Sequence, residues 1–347
     1  MNTDVLSDVL RAVQLTGAVY FDFDLTAPWV AEAPPSSEIA SIVMPGSQRV
    51  IEYHLVARGA AWGHAIGEPP IRLREGDLLV FPQGDAHVVS SAPGMRAAPD
   101  LAAFARPSTP LPLMYELGGG GPERARVICG FLGCDERPYN PLLSALPRVI
   151  HLPAGAPDGA ARPLGAMLEI AVRESGRGRT GTENVLARLS ELMFVEAIRS
   201  HLLALPETQL GWLAGLRDPV VGRALEALHG APREAWTVER LGRAVGVSRS
   251  VLAARFAEMV GHPPMHYLAL WRMQLGARML RAGRQVVEVA DAVGYESEAA
   301  FSRTFKKLVG DAPAIWRRQA LGAGGGARPE ERRTARARPL VPSPEIA

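Results

Sequence analysis

Glutamate and histidine side chains at strand spacing carry the first chemistry this chain offers. Glu52 and His54 lie two residues apart in the apolar run 50–56, so a strand there places both on one face. His87 ends the run GDLLVFPQGDAH at 76–87, an apolar strand that stops at a Pro/Gly turn and aims the histidine into a small barrel. His64, between them in sequence, is a candidate fourth member. Carboxylate and imidazole suit a first-row divalent metal ion. They equally suit the polar end of a small-molecule pocket at a barrel mouth. A histidine there also serves as a hydrogen-bonded structural residue, so a metal site, an organic ligand site and a vestigial site all stay open. Nothing in the chain demands a cofactor, and no nucleophile or acid–base constellation stands out.

Short strands must position these residues. The runs 18–25, 38–44, 50–56, 70–73 and 77–82 are punctuated by Gly and Pro, the pattern of a sandwich or barrel, and residues 1–155 form this β domain. The Pro-, Gly- and Ala-rich stretch 92–121 reads as a long loop. Two helical patterns follow, 163–174, opening on a proline, and 182–203, joined by the flexible SGRGRTG. Together they make 156–210 a helical linker. Val185, Leu189, Leu192 and Glu196 share one face of the second helix, and Leu186, Met193 and Ala197 extend it. That face serves either dimerisation or packing on the protein's own barrel. Cys129 and Cys134 sit five apart in RARVICGFLGCDE, a strand that points them to opposite faces. They read as reduced packing residues, with a redox role as the alternative.

The 347 residues suggest about two domains, and their net charge of +2 hides an asymmetry. Residues 1–210 hold 17 Arg against 23 acids; residues 211–320 hold 16 Lys and Arg against 10 acids. A basic end on an acidic chain points to a polyanion partner. No apolar run reaches the ~18 residues that span a bilayer, and the N-terminus has no charged-then-apolar signal pattern. The expectation is a soluble, cytoplasmic protein with no membrane partner. Residues 321–347, rich in Gly, Arg and Pro, cannot form a core and read as a disordered tail.

The basic end contains a repeat. VERLGRAVGVSRSVLAARFAEMVGHPP begins at Val238 and VVEVADAVGYESEAAFSRTFKKLVGDAP at Val286. Gly246 pairs with Gly294, Phe256 with Phe305, Gly261 with Gly310 and Pro264 with Pro313. Each copy reads as a short helix ended by glycine, where positive φ is cheap. A turn follows, and Ser248 or Ser297 caps the next helix. Leu252 and Phe256, or Phe301 and Phe305, form that helix's apolar stripe. This is a helix-turn-helix, twice.

The run GYESEAAFSRTFKKLVGDAPAIWRR resembles the signature of the AraC/XylS regulator family, and the resemblance covers about residues 219–318. It implies seven helices, with 265–281 joining the two units and Tyr267, Leu268, Trp271, Leu275 and Met279 buried. It implies that the second helix of each unit enters adjacent major grooves on one DNA face, about 34 Å apart. By motif position Ser250, Ala253 and Ala254 face bases in the first unit. Ala299, Ser302 and Arg303 do so in the second, with Ala300 close by. Arg303 can pair with guanine through two nitrogens. Alanines only touch a thymine methyl or permit close approach, so the first reader is expected to position more than specify. Arg249, Arg255, Lys306 and Lys307 are expected at phosphates; those lysines are the only two in the chain.

In the β domain Gly76, Pro82, Gly84 and His87 resemble the second cupin motif, G-x5-P-x-G-x2-H. The first cupin motif is partial. Gly46 is followed after five residues by Glu52, Tyr53 and His54; Glu52 stands for the first histidine, and Arg58-Gly59 occupy the place of the later glutamate. Residues 128–152 are similar to the region closing the sensor arm in one branch of these regulators. Together the resemblances imply an α+β chain: an N-terminal cupin-like β-barrel, linking helices and an all-α DNA-binding domain at 211–320. They imply a sequence-specific transcription regulator, a homodimer on double-stranded DNA controlled by a small-molecule effector in the barrel. An activator of this kind would also meet RNA polymerase. The alternatives are a metal-dependent cupin enzyme, for which the ligand set is incomplete, and a ligand-independent DNA-binding protein, for which the acidic domain has no use.

Overall fold

A computed structural model describes residues 3–105, 111–154, 161–175, 180–206 and 208–323. The N-terminal half is two sheets enclosing an apolar core. One runs β10(Ile150–Leu152), β6(Leu78–Phe81), β3(Arg49–Arg58), β9(Arg124–Cys134), β1(Thr16–Thr26), β8(Leu113–Gly118). The other runs β2(Val30–Ala33), β7(His87–Ser90), β4(Ala60–Ala65), β5(Ile71–Arg74). Phe21, Leu79, Phe81, Val127 and Phe131 of the first sheet meet Ala61, Ala65, Leu73 and Val89 of the second.

Strand β3 is dry on both faces, the reason it reads as a continuous apolar run. Val50 and Val56 enter the core between the sheets, and alternation gives Glu52 and His54 the same side. Ile51, Tyr53 and Leu55 enter a second cluster, under helix α5(Thr182–Ala204). The Ser190 hydroxyl donates to the Leu186 carbonyl at 2.9 Å and stands 2.6 Å from the Tyr53 hydroxyl, which therefore donates to it. The close seat of α5 needs Gly17, since a Cβ there would lie 2.4 Å from the Ala187 carbonyl oxygen. Leu186, Leu189, Met193 and Ala197 are spent on this packing, whereas Val185 and Leu192 stay exposed. Helix α4(Ala161–Ser175) packs on α5.

Two expectations fail locally, and one helix had no counterpart in them. The run 38–44 is not a strand but belongs to helix α2(Ser36–Val43), whose buried Ser36, Ile39 and Val43 follow helical spacing. The stretch 92–121 is not all loop: Phe104 is buried in a short 3₁₀ turn, and β8 pairs in parallel with β1. Residues 106–110 within it lie outside the described residues. The N-terminus, given no element from sequence, forms α1(Val5–Ala12), capped by Asp4 and buried through Val5, Val9 and Ala12.

The C-terminal part is helical: α6(Trp212–Arg217), α7(Val221–Gly230), α8(Val238–Val245), α9(Arg249–Val260), α10(Pro264–Arg281), α11(Val286–Ala292), α12(Glu298–Val309) and α13(Pro313–Ala323). Each repeat turns at a glycine with positive φ, +78° at Gly246 and +82° at Gly294. The joining helix α10 buries Tyr267, Leu268 and Trp271 toward the first unit and Met273, Ala277 and Leu280 toward the second. Leu275 and Met279, expected inside, are only partly buried, because two cores on different sides of one helix shift the buried stripe. Of the expected tail, residues from 324 onward lie outside the described residues.

Candidate functional site

The reader helices α9 and α12 are each held from beneath. Leu252 and Phe256 are fully buried, as are Phe301 and Phe305. Ser248 and Ser297 cap them, accepting from the backbone N–H of Val251 at 3.3 Å and of Ala300 at 3.2 Å. The outer faces present Ser250, Ala254, Ala299 and Arg303 to solvent; Ala253, Ala300 and Ser302 are partly buried. Val251 is 50% exposed beside Ser250. The motif positions did not include it, although it leaves an apolar side chain exposed next to them.

The four cations expected at phosphates divide. Lys306 and Lys307 are exposed and, like Arg303, have no side-chain partner among the described residues. Arg249 lies 2.9 Å from Glu239, both well exposed, a contact of little worth in water and easily exchanged for a phosphate. Arg255 is engaged more firmly. It donates twice to Asp218, at 2.9 and 2.5 Å, and Asp218 also accepts from the backbone of Val220 and Val221. Burial opposes ionisation of Asp218, but Arg255 and these N–H groups outweigh it and hold the carboxyl below its usual range. Arg255 thus ties α9 to the start of α7, and reaching a phosphate would require leaving Asp218.

Inside the barrel, Glu52, His54 and His87 do converge, and Cys129 joins them from the strand directly opposite His54. The two Nε2 atoms of His54 and His87 stand 2.7 Å apart. His54 Nδ1 is 2.8 Å from Cys129 Sγ, and His87 Nδ1 is 2.8 Å from the Asp85 carbonyl oxygen. A carbonyl only accepts, so with both imidazoles neutral every proton in the chain is placed. His87 donates from Nδ1 and accepts at Nε2; His54 donates from Nε2 and accepts at Nδ1; Cys129 donates as a neutral thiol. Burial agrees, depressing His54 well below the usual imidazole range and His87 to about 4 while raising the Cys129 thiol. Glu52 Oε2 is 3.8 Å from His87 Nε2, but burial pushes this carboxyl up to about 8. Both groups are therefore neutral near pH 7, and the contact is not an ion pair. Glu52 Oε1 has no hydrogen-bond partner.

His64 does not join them. It pairs with Val88, while its neighbour Ala65 pairs with His87 and enters the inter-sheet core. Alternation turns His64 to the opposite face of β4. A spacing argument within one strand cannot see this, because it depends on the register between β4 and β7. His54 also lies between Cys129 and His87, bonding each through a different ring nitrogen, so those two cannot share an ion. Among the described residues no group of three His, Cys, Asp or Glu is arranged to hold a metal; the side chains present do not fit a metal centre. Phe81 stacks on His87 at 3.8 Å and fills the adjoining space. Cavities of about 190 and 410 Å³ open elsewhere, the first beside Arg49 and Tyr139, the second beside Pro28 and Met95.

Known proteins are similar to this chain over both of its parts. Residues 4–203 match a family model described as Cupin, and 241–319 match one described as Helix-turn-helix domain. An AraC-like transcription regulator of Streptomyces lividans is 34% identical over 272 residues, covering 78% of this chain and 87% of that protein. One from Streptomyces antibioticus is 35% identical, covering 79% and 88%. The HTH-type transcriptional regulator AlkR of Acinetobacter baylyi is 28% identical, covering 77% and 90%.

Proposed function

The chain belongs to the AraC-like transcription regulators that join a cupin domain to a helix-turn-helix domain, and from that premise we propose how its residues read DNA. The family binds DNA and regulates transcription; it is not a family of enzymes, so the reading as a metal-dependent cupin enzyme falls. Among the described residues no helix is long and apolar enough to cross a membrane, and we place the protein in the cytoplasm with its DNA. The observation that carries the proposal is the pair of exposed reader helices in register, the second offering Arg303, Lys306 and Lys307 without side-chain partners among the described residues. Arg303 reads a guanine; Lys306 and Lys307 bind phosphates; Ser250, Val251, Ala253 and Ala254 make a close-fitting, chemically sparse first reader.

Arg303→Ala should cost about 1–3 kcal/mol on a selected operator and relax preference at one base position. Lys306→Ala or Lys307→Ala should instead weaken all sequences alike and flatten the salt dependence by about one unit of slope each. Gel shifts at several salt concentrations separate the two. Uniform weakening by Arg303→Ala would remove its base-reading role.

A small-molecule effector acting on the cupin barrel, homodimer formation and, for activation, contact with RNA polymerase complete the proposal. Exposed Val185 and Leu192 on α5 are the surface left over for the dimer; sedimentation of the full chain at micromolar concentration tests it, and a monomer excludes it. Native mass spectrometry of protein purified from its own host tests the effector. Identical DNA affinity before and after stripping small molecules would exclude control by a bound one.

A further inference from the structure

The two helix-turn-helix units are attached to the sensor domain in different ways. The first shares a core with it: Leu225, Phe256, Tyr267 and Trp271 lie in one buried cluster with Tyr53 and Leu189. The second closes its own core around Met273, Leu280, Phe301, Phe305 and Trp316. Among the described residues, the polar contacts between the sensor and this second unit come from residues 135–139, which directly follow β9. Asp135 pairs with Arg281 at the end of α10. Arg137 donates to the Val309 carbonyl at 2.6 Å, at the C-terminal end of reader helix α12, where the helix dipole favours a cation. The guanidinium groups of Arg137 and Arg281 lie 5.8 and 5.1 Å from the Trp316 ring centre, within cation–π range. The same segment grips the first unit. The Tyr139 ring stands 5.9 Å from Tyr267 and 6.2 Å from His262, and its N–H donates to Gln274 Oε1 at 3.1 Å.

We propose that Asp135 and Arg137 are positioning residues for the second reader, and that the strap 135–139, anchored on the first unit by Tyr139, sets where α12 stands relative to the first reader. A close-packed core resists piecemeal opening, so the first unit stays with the sensor. Among the described residues the second unit shares no buried apolar cluster with the sensor and meets it through these ion and ring contacts instead, so the second unit is the part whose placement varies. It also carries Arg303, Lys306 and Lys307, so its placement decides whether both readers meet one face of DNA. The strap continues β9, the strand that holds Cys129 against His54, and thus joins the barrel interior to the latch by a few residues of chain. The last step rests on the DNA-reading proposal; the placement itself is measurable without DNA.

Spin labels on the full chain test it, since Cys129 and Cys134 are buried and take no label. Arg72→Cys with Arg318→Cys reports sensor to second unit; Arg72→Cys with Arg243→Cys reports sensor to first unit. In the background Asp135→Asn plus Arg137→Ala, the first distance should lose its single narrow peak and the second should keep its own. An unchanged 72–318 peak would overturn the proposal, and so would both peaks broadening together, which a merely structural strap would cause. On an operator selected from random DNA by the wild type, one base pair inserted between half-sites should cost the wild type about tenfold in affinity and the variant much less. An equal penalty in both would also overturn it. Distances that behave as expected while no two-part operator emerges would support the latch and refute the DNA reading alone.

Discussion

Phe305→Ala is expected to split the thermal unfolding of the full chain into two transitions, whereas Phe256→Ala, at the equivalent place in the repeat, lowers a single one. Both rings are fully buried, and removing either costs about 3–5 kcal/mol through lost burial and the cavity left behind. The difference lies in what each ring is packed against. Phe256 belongs to the cluster that runs without a break from the first unit into the sensor domain, so its loss is shared by the whole of that body. Phe305 belongs to the separate core of the second unit. Destabilised there, the second unit melts first and leaves the rest folded. Scanning calorimetry of both variants checks this. A single transition of equal shape in each would mean that the two cores unfold as one.

Glu52→Gln is expected to abolish a loss of stability on the alkaline side. In the folded chain burial pushes the Glu52 carboxyl up to about 8, from an ordinary value of 4.5. Its contribution is fully present below the unfolded value and is lost as pH rises through the folded one, by about 1.4 kcal/mol per pH unit between them. The buried histidines act in the opposite direction. Burial depresses His87 to about 4 and His229 to about 3, and depresses His54 as well. Unfolding lets each take a proton below about pH 6.5, so their contribution is present above that value and lost on acidification. Below pH 6.5 three histidines outweigh one carboxyl and stability falls with pH. Above it Glu52 acts alone, and stability falls by about 2 kcal/mol toward pH 8. The wild type should therefore be most stable near pH 6.5, while Glu52→Gln should hold level from pH 6.5 to 8. Urea unfolding at several pH values reads both arms. A wild-type profile flat above pH 6.5 would show that Glu52 is ionised in the fold, against its dry surroundings.

The repeat was legible because its logic is local. Gly246 and Gly294, Ser248 and Ser297, and the pairs Leu252–Phe256 and Phe301–Phe305 all act within a turn or two of chain. The same holds for Glu52 and His54, which share a face because they are two residues apart on one strand. Helix α2 escaped because a short apolar run does not distinguish strand from helix; helical spacing won there once Ile39 and Val43 had a sheet to pack on. β8 escaped because its apolar residues find partners only beside β1.

The amino-acid sequence by itself determined the kind of protein this is: a helix-turn-helix present twice, each with a capped second helix, and a β domain in which a Pro/Gly turn leads from β6 into His87 at the start of β7. Local periodicity and capping suffice for that. Tertiary structure alone decided which of those residues are available and what they touch. Arg255 meets Asp218 across 37 residues and is drawn into the fold. His64 turns away from the barrel through the register of another strand. Cys129, 75 residues from His54, completes the buried proton chain, and Asp135 finds Arg281 across 146. Each depends on distant segments brought side by side by burial of apolar surface, a force that acts on the whole chain and leaves no mark in the spacing of any one segment.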